Sequence, residues 1–178
     1  MSEKIVMNNR ESIENLENEL GWYKIFVSRE KCQLLLEKLG MNENPDNFDI
    51  EKKKVENIGC LYCIYVGKSS KLKNRLKEHF GYSKESTTLK TSLSAVLQND
   101  AHNFMGDAYF EYGYKSDFKD GEYLCVWEAQ EINKCVRILN IDCNENKNAE
   151  PFIEKLTTLR NNQICLSGAE QTAKRLMA

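Results

Sequence analysis

The chain has 178 residues, 41% of them hydrophobic and 29% charged, with a formal net charge of −2. That length can bury a core without disulfide or metal staples, and the near-neutral charge argues against indiscriminate nucleic-acid binding. No stretch approaches the roughly 18 apolar residues of a membrane span, and the opening segment MSEKIVMNNRESIENLENEL lacks the apolar centre of a signal peptide, which reads as a cytoplasmic protein with no membrane partner.

In chain order, residues 11–20 read as a helix, with Ile13, Leu16 and Leu20 at helical spacing and Gly21 as its stop. Residues 22–27 read as a strand with Tyr23, Ile25 and Val27 on one face. Ser28 is placed to cap a helix carrying Cys32, Leu35, Leu36 and Leu39 and closing at Gly40. The polar stretch MNENPDNFDIEKKKVEN has no clear periodicity, so residues 28–58 read as an insertion between two strands.

Residues 60–66 are continuously apolar apart from their tyrosines, the pattern of a central strand covered on both faces, with Leu61, Cys63 and Tyr65 on one side. Ser69 or Ser70 can cap the next helix, whose buried stripe is Leu72, Leu76 and Phe80. Arg75 then lies at the edge of that stripe, about 60° around the axis. A helix over residues 89–97 follows, then strands over 108–114, 123–129 and 135–141, the last also compatible with a helix. Pro151 falls in the first turn of a helix that buries Phe152, Ile153, Leu156 and Leu159, and a short helix starts at Ser167. With no repeat and no linker, residues 1–178 read as a single domain: an N-terminal helix (1–20), a core (21–27 and 59–162), the insertion (28–58) and a C-terminal tail (163–178).

Seven cysteines without an export signal read as reduced thiols. Cys60-Leu-Tyr-Cys63 has zinc-knuckle spacing, but on a strand residues three apart point to opposite faces, so the pair reads as buried apolar side chains. Charge is unevenly distributed. Between Lys68 and Lys90 six lysines and one arginine stand against Glu78 and Glu85, a local balance of +5, while acidic residues gather elsewhere. Such a map suits docking on a phosphate backbone; its plain reading is a solvated helix face.

Tyr65-Val66-Gly67-Lys68 closes the apolar strand, and the helix after it carries Lys71, Arg75 and His79 four residues apart, an array that can hold a phosphate. This stretch resembles the catalytic core of the GIY-YIG nucleases, where a tyrosine strand, a Tyr-Ile/Val-Gly strand, and an arginine and a histidine on the following helix share one site. Arg75 falls eight residues after Gly67 and His79 four later, which is the family's spacing. Gly21-Trp22-Tyr23 matches the first half, with tryptophan in place of the usual aliphatic residue. Glu150 opening a late helix, with Asn162 twelve residues on, matches the remaining signature. The gap from Tyr23 to Tyr65 is longer than the family's usual short hairpin.

The resemblance implies an α/β (α+β) fold: a central, mainly antiparallel sheet of three to five strands flanked by helices, interrupted by the insertion. It implies hydrolysis of DNA phosphodiesters with Mg²⁺ or Mn²⁺, with Tyr23, Tyr65, Arg75, His79 and Glu150 as catalytic residues and Glu150 as metal ligand. Lys68, Lys71, Lys73 and Asn162 would contact phosphate or DNA. Among family roles a stand-alone restriction-type endonuclease fits best, and palindromic targets would then call for a homodimer. A phage or mobile-element nuclease, a repair nuclease and a catalytically silent DNA-binding module are the competing readings.

Phosphodiester hydrolysis needs an activated water, neutralisation of charge at phosphorus and stabilisation of the leaving oxygen. Arg75 can fork two phosphate oxygens, with Lys68 beside it as a point charge, and a hard carboxylate such as Glu150 suits Mg²⁺. Tyr23 is the proton acceptor that the resemblance suggests. A free phenol has a pKa near 10 and needs cationic neighbours or a relay, for which Lys68 and His79 are available, whereas imidazole has the better intrinsic pKa for a base. The residues alone leave open whether Tyr23, Tyr65 or His79 activates the water. Each has a plain alternative: tyrosines as strand packing, Glu150 as an ordinary helix start, Asn162 as a helix end. His102 has no motif support.

Overall fold

The computed structural model describes residues 5–117 and 124–176. Among the described residues, one antiparallel sheet contains β1 (Val6–Met7), β2 (Gly21–Ser28), β3 (Lys52–Val55), β4 (Gly59–Ser69) and β5 (Tyr109–Tyr114) in the order β1-β5-β2-β4-β3. The helices are α1 (Arg10–Glu14), α2 (Arg29–Lys38), α3 (Leu72–His79), α4 (Thr88–Leu97), α5 (Ala101–Phe104), α6 (Leu124–Lys134) and α7 (Glu150–Leu176). The α+β architecture with flanking helices is the one expected. No helix among the described residues is long and apolar enough to cross a membrane.

The larger core lies on the sheet face that carries Tyr23, Ile25 and Val27, which packs against Leu35 and Leu36 of α2, Leu72 and Leu76 of α3, Leu89 and Leu93 of α4, and Phe152 and Leu156 of α7. The opposite face holds a smaller apolar cluster of Phe26, Leu61, Cys63, Val66 and Ile132, against which Trp127 packs. Ser28 does cap α2, accepting from the Lys31 amide. The insertion is more ordered than its composition suggests: β3 pairs with β4 at the sheet's outer edge.

Several expectations are overturned. The N-terminal helix is only five residues long, capped by Asn9 and ending at Glu14, and Gly21 starts β2 instead of stopping the helix. Gly21 is needed there because a Cβ would stand 2.5 Å from the Gly113 carbonyl oxygen. Residues 124–134 are helical, not extended: Leu124, Glu131 and Ile132 are its buried residues, a helical period. Residues 135–141 are neither strand nor helix, apart from a parallel bridge from Val136 to Ile50. There the Arg137 and Asn140 side chains bond backbone groups directly, the first to Glu131 O and the second to both Val66 N and Val66 O. The two C-terminal helices are one continuous α7.

The most consequential difference is a β-bulge in β4. Ile25 pairs with Tyr65 but Phe26 pairs with Cys63, leaving Ile64 as the extra residue. An extra residue breaks the two-residue alternation. Leu61 and Cys63 therefore face the smaller cluster, while Tyr65 turns to the Tyr23 face with Ile64 and Tyr62. Cys60 is exposed and Cys63 buried, on opposite sides as the strand geometry requires, so only one of the two is a core residue.

Candidate active site

Tyr23 is paired with Gly67 across β2 and β4, and Tyr65 with Ile25, so the two phenols share one face. Their rings lie 6.3 Å apart and nearly parallel at 24°. Gly67 is the floor: a Cβ there would overlap the Tyr23 hydroxyl and the ring carbon that bears it. The Tyr-Val-Gly sequence is thus a packing requirement of the Tyr23 ring.

Helix α3 closes the site. Its buried Leu72 and Leu76 seat it on the sheet, which leaves Arg75 38% exposed at the rim and buries His79 at the last turn. No side chain caps its start; Ser69 instead accepts from the Lys71 amide within the preceding turn. Tyr23 Oη lies 2.6 Å from His79 Nε2, and His79 Nδ1 lies 2.9 Å from Thr87 Oγ1. Tyr65 sits edge-on to the same imidazole, with centroids 5.7 Å apart. The hydroxyl of Tyr65 makes no hydrogen bond among the described residues and is available to a substrate.

Burial dominates the electrostatics. It pushes the His79 imidazole down to about 3, with Arg75 and Lys90 acting in the same direction, so the ring is neutral. Burial pushes the Tyr23 phenol well above its ordinary value, with Arg75 opposing. Tyr65 is pushed up to about 12 by burial and then by Glu128, opposed by Arg75 and Arg160. Two carboxylates and a second arginine therefore act at this site without having been evident in the sequence. Glu78 pairs with Arg75 at 2.9 Å, and Glu128 pairs with Lys68 at 3.3 Å. Thr87, a fourth missed residue, carried one legible signal, a threonine directly before a helical pattern.

The structure brings Tyr23, Tyr65, Arg75 and His79 together. Lys68 is placed differently from expectation: it pairs in register with Trp22, hence on the face opposite Tyr23, and its ammonium meets Glu128 of α6 instead of standing beside Arg75. Lys71 is exposed and Lys73 half-buried, on the outer side of α3. Glu150 opens α7 as an exposed carboxylate with no ion pair among the described residues. Asn162, also exposed, follows twelve residues later, about 18 Å along the helix, so the two reach different parts of a ligand. Among the described residues no group of three or more His, Cys, Asp or Glu side chains could hold a metal. The donor set on offer is a lone hard carboxylate, which fits an ion such as Mg²⁺ that keeps most of its waters. The His102 side chain lies outside the described residues.

The sequence profile of the GIY-YIG catalytic domain matches residues 21–162. No curated protein and no solved structure gives a significant match.

Proposed function

We propose that this chain, which belongs to the GIY-YIG catalytic domain family and is a nuclease acting on DNA, is a divalent-metal-dependent endonuclease of the restriction type that acts as a homodimer on palindromic sites. The observation that carries the reading is the buried Tyr23–His79 bond beside Tyr65, with Arg75 at the open rim of the same site. A surface helix has no use for a neutral, fully packed histidine aimed at a buried phenol. Phosphoryl chemistry does, because proton traffic must be confined while charge builds at the phosphate.

Each residue then has a task. Arg75 exchanges the Glu78 carboxylate for a phosphate, whose oxygens its guanidinium can fork. Lys71 and Lys73 extend the positive face along the backbone, and Lys68 and Asn162 contribute from its edges. Tyr65, with its free hydroxyl, donates to a non-bridging phosphate oxygen. Tyr23, as phenolate, takes the proton of the attacking water; the water oxygen bonds to phosphorus, and the bond to the 3′ oxygen breaks with its electron pair leaving on that oxygen. Glu150 is the residue that would hold a divalent ion, which would supply positive charge to offset the negative charge that develops in the reaction.

The test is cleavage of mixed-sequence plasmids with Mg²⁺ or Mn²⁺. Discrete fragments from the wild-type protein, and at least about a hundredfold less product from Arg75→Ala and from Glu150→Ala, are expected. Salt-sensitive DNA binding with no cleavage of any plasmid, under either ion, would instead identify a binding module.

A further inference from the structure

Helix α4 turns a polar stripe away from the core. Leu89, Ser92, Leu93, Ala95, Val96 and Leu97 are buried, whereas Lys90, Thr91 and Ser94 are half-buried and Gln98, just past the helix end, is exposed. Lys90, Ser94 and Gln98 stand four residues apart, the spacing of one helix face. That face is concave. The three residues line a cavity of about 290 Å³ together with His79 of the active site and the apolar Leu93 and Met105. Lys90 and Ser94 also wall a second hollow of about 460 Å³, bounded by Lys84 and by Gln163 of α7. Arg160, one turn before Gln163, acts on the Tyr65 phenol, so this wall too leads back to the active site.

Charge is the first feature that sets the groove apart. The Lys90 ammonium donates to Ser83 O at 3.1 Å and to Glu85 O at 2.9 Å. Both acceptors are backbone carbonyls, so one N–H and the whole charge are left without a carboxylate among the described residues. Lys84 has no ion pair among them either, and Glu85 supplies the opposing charge on these walls. The second feature is Gln98. Its backbone, at φ 52° and ψ −120°, lies where L residues are rare and glycine is favoured. Its side-chain amide makes no hydrogen bond among the described residues and offers a donor beside an acceptor. A solvated helix flank needs neither the hollows nor a strained glutamine. We propose that the groove along α4 takes the DNA strand beside the scissile phosphate, with Lys84 and Lys90 against its phosphates and Gln98 against the edge of an adenine, the base whose adjacent acceptor and donor match an amide. Gln98 is then a specificity-determining residue, and the lysines set the register in which it reads.

This deepens the nuclease reading and rests on it for the nature of the ligand. The test is selection from a pool of random-sequence DNA duplexes by the full-length protein without metal, with the bound fraction sequenced. The wild-type protein should select a site with at least one adenine position. Gln98→Ala should lower discrimination at that position by about 10- to 100-fold and leave the other positions alone. Gln98→Gly should do the same while melting at a higher temperature, because glycine relieves the backbone. Lys84→Gln should weaken binding equally for all sequences and reduce the slope of log affinity against log salt by about one. Binding without base preference, or a preference that survives Gln98→Ala, would overturn the assignment of Gln98. An unchanged salt slope in Lys84→Gln would overturn the path of the strand. A protein that cuts plasmid but keeps its preference in Gln98→Ala loses this inference and keeps the nuclease reading. One whose preference depends on Gln98 but that never cuts keeps the groove and loses the nuclease reading.

Discussion

The two faces of the central sheet bury polar groups by opposite means. On the Tyr23 face the buried groups form a neutral chain, tyrosine to histidine to threonine, within the larger apolar core. On the other face they stay charged and are paired: Lys24 meets Glu51 and Glu131 at 2.9 and 2.8 Å, and Arg137 meets Glu51 at 2.5 Å. Burial works against the charge on Lys24, but bonds to Glu131 and Glu51 outweigh it, so its pKa rises. Neutrality suits a site that must receive charge from a ligand, whereas paired charges suit a scaffold, since each fixes the other's position. The ion network also joins parts far apart in sequence: Glu51 comes from the insertion, Lys24 from β2, Glu131 from α6 and Arg137 from the segment beyond it.

The largest expected effect separates the faces. Arg137→Leu leaves Glu51 short of a partner and should cost about 3–5 kcal/mol in urea unfolding, with cleavage retained below the new melting temperature. Equal loss of cleavage without lost stability would break the division of labour. Next is the pH dependence of single-turnover cleavage. If Tyr23 is the acceptor, with a pKa held above 10, the rate should rise about tenfold per pH unit from 6.5 to 8.5. If His79 were the acceptor, with its pKa near 3, the profile over that range would be flat.

Stability in mild acid tests the neutral chain directly. His79 is faced by Tyr23, Tyr65 and Thr87, with Arg75 and Lys90 as the nearby cations, and no carboxylate rewards its protonation. An unfolded histidine takes its proton near pH 6.5, the folded one only near 3, so stability is complete above 6.5 and is lost as pH falls through that window. Between pH 7 and pH 5 the contribution of His79 should fall by about 2 kcal/mol, read as the difference in urea unfolding between wild type and His79→Gln. Gly67→Ala forces the Tyr23 ring away from its floor and should lower kcat about tenfold or more while changing stability less than Arg137→Leu does. The smallest effect is expected from Lys68→Gln. Its partly exposed pair with Glu128 is worth no more than about 1 kcal/mol, and on the face opposite Tyr23 it should weaken DNA binding without altering kcat.

Much of the working face was legible because its elements are local. The α3 stripe of Leu72, Leu76 and Phe80 seats Arg75 at the rim and His79 inside, as helical spacing dictates. The paired face was almost illegible. Lys24, Glu51, Glu131 and Arg137 look like ordinary surface charges in the chain, and only their convergence buries Lys24, Glu131 and Arg137 and half-buries Glu51. The apolar run in α6 was too short to distinguish strand from helix, and arbitration came from the face it covers.

By itself the amino-acid sequence determined the alternation of Tyr23, Ile25 and Val27, the stripe and spacing of α3, and the match to the family over residues 21–162. Each follows from short-range geometry, two residues per strand repeat and 3.6 per helical turn. The tertiary structure decided what depends on groups distant in the chain. It placed the bulge that turns Tyr65 toward Tyr23, moved Lys68 to the other face, and set the Thr87 hydroxyl against the imidazole, 8 residues away in sequence yet held by a different helix. Those choices are made by packing and by the need to satisfy every buried polar group, and neither is written in any one segment.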